Sequence, residues 1–344
     1  MQAETLAPPQ RPHLRPAPPP SNVRPIRAPR IEGIERAFHG SFDQVRELVP
    51  EFDRVPFAVS GDHLTAGIGG IANRFSDVIV RRASPLLALP AVPVGLVSKR
   101  YRLIGHGEVV DAVREAIRGL GVRPDSAACE AHLGRYGATM AFYARLPRAF
   151  DFDPGDGHPM ALRVLALNSV DGGSPLTLLL GWYRFVCANG MIVGTTRMNW
   201  RIAHRAGQEL GDLSELLEAG LELAEHEKLE LQAWLRARVA MESLRSFADG
   251  PLAAAWGVKP AARFWHIAAS GCDAEPALPF EAGAPTLKTM RALGRVPGAP
   301  ERVRNAYDAS QALAWLARQP RAHEERVKRM QEIPGLMAGL VDIA

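Results

Sequence analysis

Two short segments hold the residues best suited to chemistry. Asn168-Ser169-Val170-Asp171-Gly172-Gly173-Ser174 sets an amide, a hydroxyl and a carboxylate beside turn-forming glycines. Arg184-Phe185-Val186-Cys187-Ala188-Asn189-Gly190 ends a largely apolar run on a thiol and follows it with another turn signal. With His204, these segments contain the parts of a Cys–His hydrolase: a thiol nucleophile, an imidazole base and Asp171 as the orienting carboxylate. The same residues have a plainer reading. Asp-Gly-Gly is what a tight turn needs, and a lone cysteine ending an apolar strand behaves as a small buried hydrophobe. Nothing in the spacing selects a nucleophile, so no catalytic residue is assigned. The enzyme reading stays as an alternative in which Asn168, Asp171, Cys187, Asn189 and His204 line one cleft.

Other chemistries lack their residues. The ten histidines form no HExxH and the three cysteines no CxxC, so no metal site is expected. Asp151, Asp153 and Asp156 resemble the start of a calcium loop, but proline interrupts them and the twelfth-position glutamate is missing, so they read as a turn. Gly67, Gly69 and Gly70 are followed by no Lys-Ser/Thr, which argues against a phosphate loop, and no cofactor is expected.

Positive charge is patterned. Arg100 and Arg102 precede a predicted helix, and from Gly172 to Gln208 there are four arginines, Arg184, Arg197, Arg201 and Arg205, and no acid. Tyr136 and Trp200 are among the aromatics interleaved with them. Cations for phosphates and rings for bases are the components of a single-stranded nucleic-acid platform. The competing reading is that aromatics in strands are core, and that arginine richness reflects composition, since only five of the 41 basic residues are lysine.

The elements that must position these residues follow from periodicity. Residues 1–30, with nine of the 28 prolines, read as a disordered Pro/Arg-rich tail. Residues 31–208 read as an α+β core. Ser41 caps a short helix to Leu48, strands and glycine loops fill 55–82, and Val97–Ile104 is a strand. Glu108–Arg118 is a helix with Val109, Val110, Val113 and Ile117 on one stripe. An antiparallel sheet of four or more strands follows, at 126–133, 137–146, 162–167 and 176–187, with 191–195 beyond. Residues 209–344 read as a largely helical region packed on the core, opening with a long acidic helix capped by Asp212 that continues toward Phe247, where Gly250-Pro251 stops it. Helices at 299–319 and 321–332 end the chain, with Pro320 between them. The longest uncharged run, Ala83–Ser98, is 16 residues and broken by three prolines, so no membrane span is expected. An N-terminus without an apolar core and widely spaced cysteines point to the cytoplasm.

The ordered segments Val97-Ser98-Lys99-Arg100-Tyr101-Arg102-Leu103, Asn168-Ser169-Val170-Asp171-Gly172, Arg184 to Met191 and Ala203-His204 resemble the family called domain of unknown function 932. The resemblance runs from about 55 to 320 and includes Arg304 to Asp308 and Ala312 to Trp315. It marks Asn168, Ser169, Asp171, Cys187, Asn189, Gly190 and His204 as one polar cluster. The family pattern carries a histidine where this chain has Val170, which weakens any acid–base role at that step. Members are often labelled phage/plasmid-like proteins, which implies a mobile-element setting of recombination, repair, replication and anti-defence. A helix, an antiparallel sheet and a long helix also resemble, loosely, single-strand annealing proteins, which oligomerise and lay DNA along a basic groove. The leading expectation is therefore a non-enzymatic, cytoplasmic protein that binds single-stranded DNA and forms a homo-oligomer. Arg100, Arg102, Arg184, Arg197, Arg201 and Arg205 would serve as phosphate contacts, with Tyr136 or Trp200 stacking on bases. The acidic helix would then pack on a neighbour's arginines or neutralise those of its own chain. A third reading is a protein-interaction or anti-defence module that uses the helical region.

Overall fold

The computed structural model describes residues 34–59, 71–86, 89–185, 192–193, 200–207, 210, 213–276, 290–320 and 323–343. The Pro/Arg-rich tail, Gly67, Gly69, Gly70, Cys187, Asn189, Gly190, Arg197 and Asp212 lie outside the described residues.

β1 (Ile34–Gly40) leads into α1 (Phe42–Leu48). Ser41 caps it as expected: its side chain accepts from the Gln44 N–H at 3.3 Å, and the Gln44 side chain accepts from the Ser41 N–H at 2.9 Å. β2 (Phe52–Val59), β3 (Ile71–Arg81) and β4 (Val92–Ser98) make a small antiparallel sheet with β3 in the middle. The expected strand Val97–Ile104 is displaced: the strand ends at Ser98 and the chain turns at Lys99-Arg100. Pro93 is tolerated in β4 because the strand lies at an edge, where a missing N–H costs no ladder bond.

α2 (His106–Gly119) buries Val109, Val110, Val113 and Ile117, the stripe read from the sequence. The main sheet comprises β5 (Ala128–Gly134), β6 (Thr139–Arg145), β7 (Met160–Ser169), β8 (Leu176–Phe185), β9 (Ile192–Val193) and β10 (Trp200–Ile202). Its order is β1-β5-β6-β7-β8-β10, with β9 also on β8, and every pairing is antiparallel. The fold is thus α+β with a large antiparallel sheet, as read from the alternation.

Side chains alternate between the two faces of the sheet. One face sends Ala131, Phe142, Val164 and Leu180 into the main core. The other buries Ala141, Leu165 and Leu179 against Val327 of α8 (His323–Ile343). Trp182, fully buried, donates from Nε1 to the Ala224 carbonyl at 2.9 Å and so docks α3 (Ser214–Arg236) on the sheet.

The C-terminal region departs from its periodicity in six places. The long helix ends at Arg236 because the backbone pairs elsewhere: Val239 N–H donates to Arg304 O at 3.2 Å and Ala306 N–H to Ala237 O at 2.9 Å. Its N-cap is Leu213, with no side-chain cap. Helix then resumes as α4 (Met241–Phe247), a π turn over Ala248–Leu252, α5 (Ala253–Trp256) and α6 (Val258–Ser270). Gly250-Pro251 therefore does not stop the helical run, because the wider π turn makes room for the proline ring. A hairpin of β11 (Cys272–Pro276) and β12 (Met290–Arg295) follows, which the periodicity did not reveal. α7 (Ala306–Ala317) starts at an Asn305 cap rather than at 299, and α8 continues through Pro334 well past 332. Among the described residues, no helix is long and apolar enough to cross a membrane.

Candidate functional site

The small sheet, the β5–β6 turn and the turn after β7 meet over a second core of Phe52, Ile79, Val97, Tyr101, Ala138 and Val170. Val170 is fully buried there, so this step of the motif carries packing instead of an acid–base group. Gly95 is required by the contact: a Cβ on it would lie 2.6 Å from the Asp171 Cα, against backbone that cannot turn aside.

Above this core lies a cluster of buried polar side chains. Asn168 donates from Nδ2 to the Ile104 carbonyl at 2.9 Å and to His106 Nδ1 at 3.0 Å. That second bond fixes a tautomer. His106 Nδ1 must be the acceptor, so Nε2 carries the proton and donates to the Gly137 carbonyl at 2.9 Å. Complete burial pushes the His106 pKa down to about 4, so the ring is neutral. His204 lies nearly parallel to Tyr101, with ring centroids 5.0 Å apart. Its Nδ1–H donates to the Arg102 carbonyl at 3.2 Å, leaving the lone pair on Nε2. Burial lowers its pKa below the usual imidazole range, and the Arg102 charge adds to this.

The Tyr101 hydroxyl donates to the Ser169 carbonyl at 3.1 Å, and burial holds its pKa well above the usual phenol value. Asp171 accepts from Ser169 Oγ, from Gly173 N–H at 2.8 Å and from Arg135 at 3.3 Å. Burial opposes its charge, but these donors outweigh burial and hold the carboxyl below its usual range. The cluster is therefore two neutral imidazoles, an amide and a phenol beside one ionised carboxylate.

The β5–β6 turn roofs the site in an unusual backbone. Arg135, Tyr136 and Gly137 have φ of 49°, 59° and 87°, three left-handed residues in a row. For Arg135 and Tyr136 this costs about 1–2 kcal/mol each. Side chains hold the turn from below: buried Arg81 donates to the Tyr136 carbonyl and to Pro90 O, and His106 to Gly137 O. The turn leaves the Tyr136 ring 67% exposed and places the Arg135 guanidinium over Asp171.

The neighbouring wall is basic. The 99–102 and 203–206 segments are zipped by Arg102 N–H to His204 O at 3.3 Å and Ala206 N–H to Arg100 O at 2.8 Å. Arg100, Arg201 and Arg205 are exposed, and Arg201 and Arg205 make no ion pair among the described residues. Arg102 is half-buried and paired with Glu108 at 2.7 Å. Trp200 packs half-buried on the main core, so of the two stacking rings read from the sequence Tyr136 is the exposed one. Arg184, one residue before the end of β8, stands opposite Met160 in the ladder. On α3, Glu215, Glu218 and Glu222 are exposed, and Glu225 pairs with Lys228 of the same helix.

The structure brings together Asn168, Ser169, Asp171 and His204 of the motif cluster; Cys187, Asn189 and Gly190 fall outside the described residues. Sequence reasoning missed His106, Tyr101 and Arg135 as members. Tyr101 stood inside a quoted motif and Arg135 between two predicted strands, whereas a single histidine at a helix start carries no signal of its own. Among the described residues, no group of three or more His, Cys, Asp or Glu is placed to hold a metal ion.

These features define an antiparallel α+β protein with a buried polar cluster under a basic, aromatic rim. The family described as Domain of unknown function (DUF932) matches residues 93–268, from β4 to α6, and the chain belongs to that family. The match spans the whole polar cluster and is narrower than the resemblance read from the motifs. No curated protein and no solved structure matches the chain.

Proposed function

We propose that this protein binds single-stranded DNA across the rim, acting in the cytoplasm, as an oligomer, in the recombination, repair or replication of a mobile element. The observation that carries the reading is the Arg135-Tyr136 turn. Two strained residues hold an aromatic ring open to solvent, in a turn whose Arg135 lies over Asp171, while exposed Arg100 and Arg205 flank Tyr101 on the adjoining wall. Strain of this kind persists where the surroundings enforce it, and it is concentrated at functional sites. The ring offers a stacking face and the arginines offer phosphate contacts.

Fluorescence anisotropy with labelled oligonucleotides tests this. Binding is expected to weaken steeply as salt rises, since phosphate contacts release counterions. Tyr136→Ala is expected to cost roughly 1–3 kcal/mol of affinity, the range for loss of one stacked base. Absence of binding at low salt, or affinity indifferent to salt, removes the reading.

A further inference from the structure

Among the described residues two aromatic side chains are exposed, Tyr136 at 67% and Phe75 at 66%. Tyr136 belongs to the rim; Phe75 lies in β3, outside it. Irregular backbone presents both. The β2–β3 ladder pairs Pro56 with Asp77 and then Ala58 with Ala72, so Phe57 alone stands opposite four residues, Asn73, Arg74, Phe75 and Ser76. This is an enlarged bulge, and a bulge re-aims side chains that a regular strand would lay on its two faces. Asn73 closes it: its Oδ1 accepts from the Phe75 N–H at 2.8 Å and from the Ser76 N–H at 3.0 Å. The strand is anchored again at buried Asp77, which accepts from Arg54 at 2.6 Å and from Lys99.

The bulge carries a cation on a ring. Arg74 is exposed, and its guanidinium lies over the Phe75 ring, 4.7 Å from the centroid. The bulge also adjoins the basic wall. Lys99 N–H donates to the Phe75 carbonyl at 3.0 Å, which ties Phe75 to the Lys99-Arg100 turn. Arg54 holds that turn from β2, donating to Lys99 O at 2.7 Å and to Tyr101 O at 2.5 Å. Arg100 O in turn accepts from Ala206 N–H at 2.8 Å, beside exposed Arg205. An open ring with a guanidinium on it, next to further exposed cations, matches the two parts of a nucleotide: an apolar base face and an anionic phosphate.

We infer that the Arg74-Phe75 bulge is a second stacking station for single-stranded DNA, with a base against the Phe75 ring and the flanking phosphates on Arg74 and Arg100. The inference rests on the single-stranded DNA reading above and extends the path of the strand across the 99–100 turn onto the small sheet. The test is anisotropy on the full-length protein with labelled oligo-dT, with thermal denaturation and light scattering of every variant. Phe75→Ala is expected to weaken binding about tenfold, within the range for loss of one stacked base. Phe75→Leu, apolar but without a π face, is expected to lose as much, and Phe75→Trp to bind at least as tightly as the unaltered protein. Arg74→Gln is expected to lower the salt slope by about one. Because the ring is exposed, the thermal midpoints of these variants are expected to stay within about 2 °C of the unaltered protein. Full affinity in Phe75→Ala overturns the station, and the rim reading stands if Tyr136→Ala still weakens binding. Full affinity in Phe75→Leu overturns the stacking role as well. Loss of binding together with a lower thermal midpoint, or with a smaller particle in light scattering, assigns the ring to packing or to a contact between copies and also overturns it. No binding of any oligonucleotide by the unaltered protein overturns the DNA reading itself.

Discussion

Asn168 is the residue on which the cluster turns, because its amide decides which nitrogen of His106 carries the proton. The consequence is a pH dependence with a definite sign. The folded His106 pKa, about 4, lies below its ordinary 6.5. Between these values the unfolded chain takes up a proton that the folded chain does not. Stability from this ring is therefore complete above pH 6.5 and lost as the pH falls through the window toward 4. The slope is about 1.4 kcal/mol per pH unit, and the whole window is worth on the order of 3 kcal/mol. His204, depressed in the same direction, adds to the trend. Urea midpoints measured from pH 7.5 to 4 check this: they are expected to fall for the native protein and to flatten in His106→Gln. Asp171 and Asp273, held below the usual carboxylate range, lose their contribution at lower pH.

At the scale of elements, the β5–β6 turn sets rigidity against strain. Glycine adopts positive φ without penalty, so Tyr136→Gly is expected to stabilise the fold by about 1 kcal/mol in thermal denaturation while weakening oligonucleotide binding. Opposite signs in the two measurements identify Tyr136 as a ring kept for contact at a cost in stability; a loss of both would assign it to packing. The legibility of the elements follows whether a local rule or a distant partner decides them. The Ser41 cap, the α2 stripe and the β5–β8 alternation were legible because each is enforced within a few residues. The end of α3 was not, because Arg238 pairs with Asn305, far along the chain. The β11–β12 hairpin was hidden for a similar reason: β12 exposes Arg291 to Arg295 and presents no apolar alternation. The site was half legible. The motif residues Asn168, Ser169, Asp171 and His204 could be named, but which of them shared one cluster, and that His106 joined them, depended on the sheet bringing them together.

At the scale of the whole molecule, net charge is a poor guide to the surface. Residues 1–30 hold five of the 41 cationic side chains and one of the 37 acids, so the +4 belongs to them and the remainder holds 36 of each. Binding by the body thus depends on local asymmetry, with Arg100 and Arg205 exposed on the rim and Glu215, Glu218 and Glu222 exposed on α3. A chain beginning at residue 31 is expected to bind more weakly and with a shallower salt dependence than the full chain. A titration series in salt separates the two contributions, and a salt slope unchanged by the truncation would assign the phosphate contacts to the body alone.

The zipper between the 99–102 and 203–206 segments also bears on how the chain folds. Its hydrogen bonds join residues about a hundred positions apart, and β5 to β8 lie between them. Closing so long a loop is entropically unfavourable until the intervening hairpins have formed and drawn its ends together. His204 and Tyr101 therefore stack late on the folding path, and a nascent chain completes its sheet before it acquires its site.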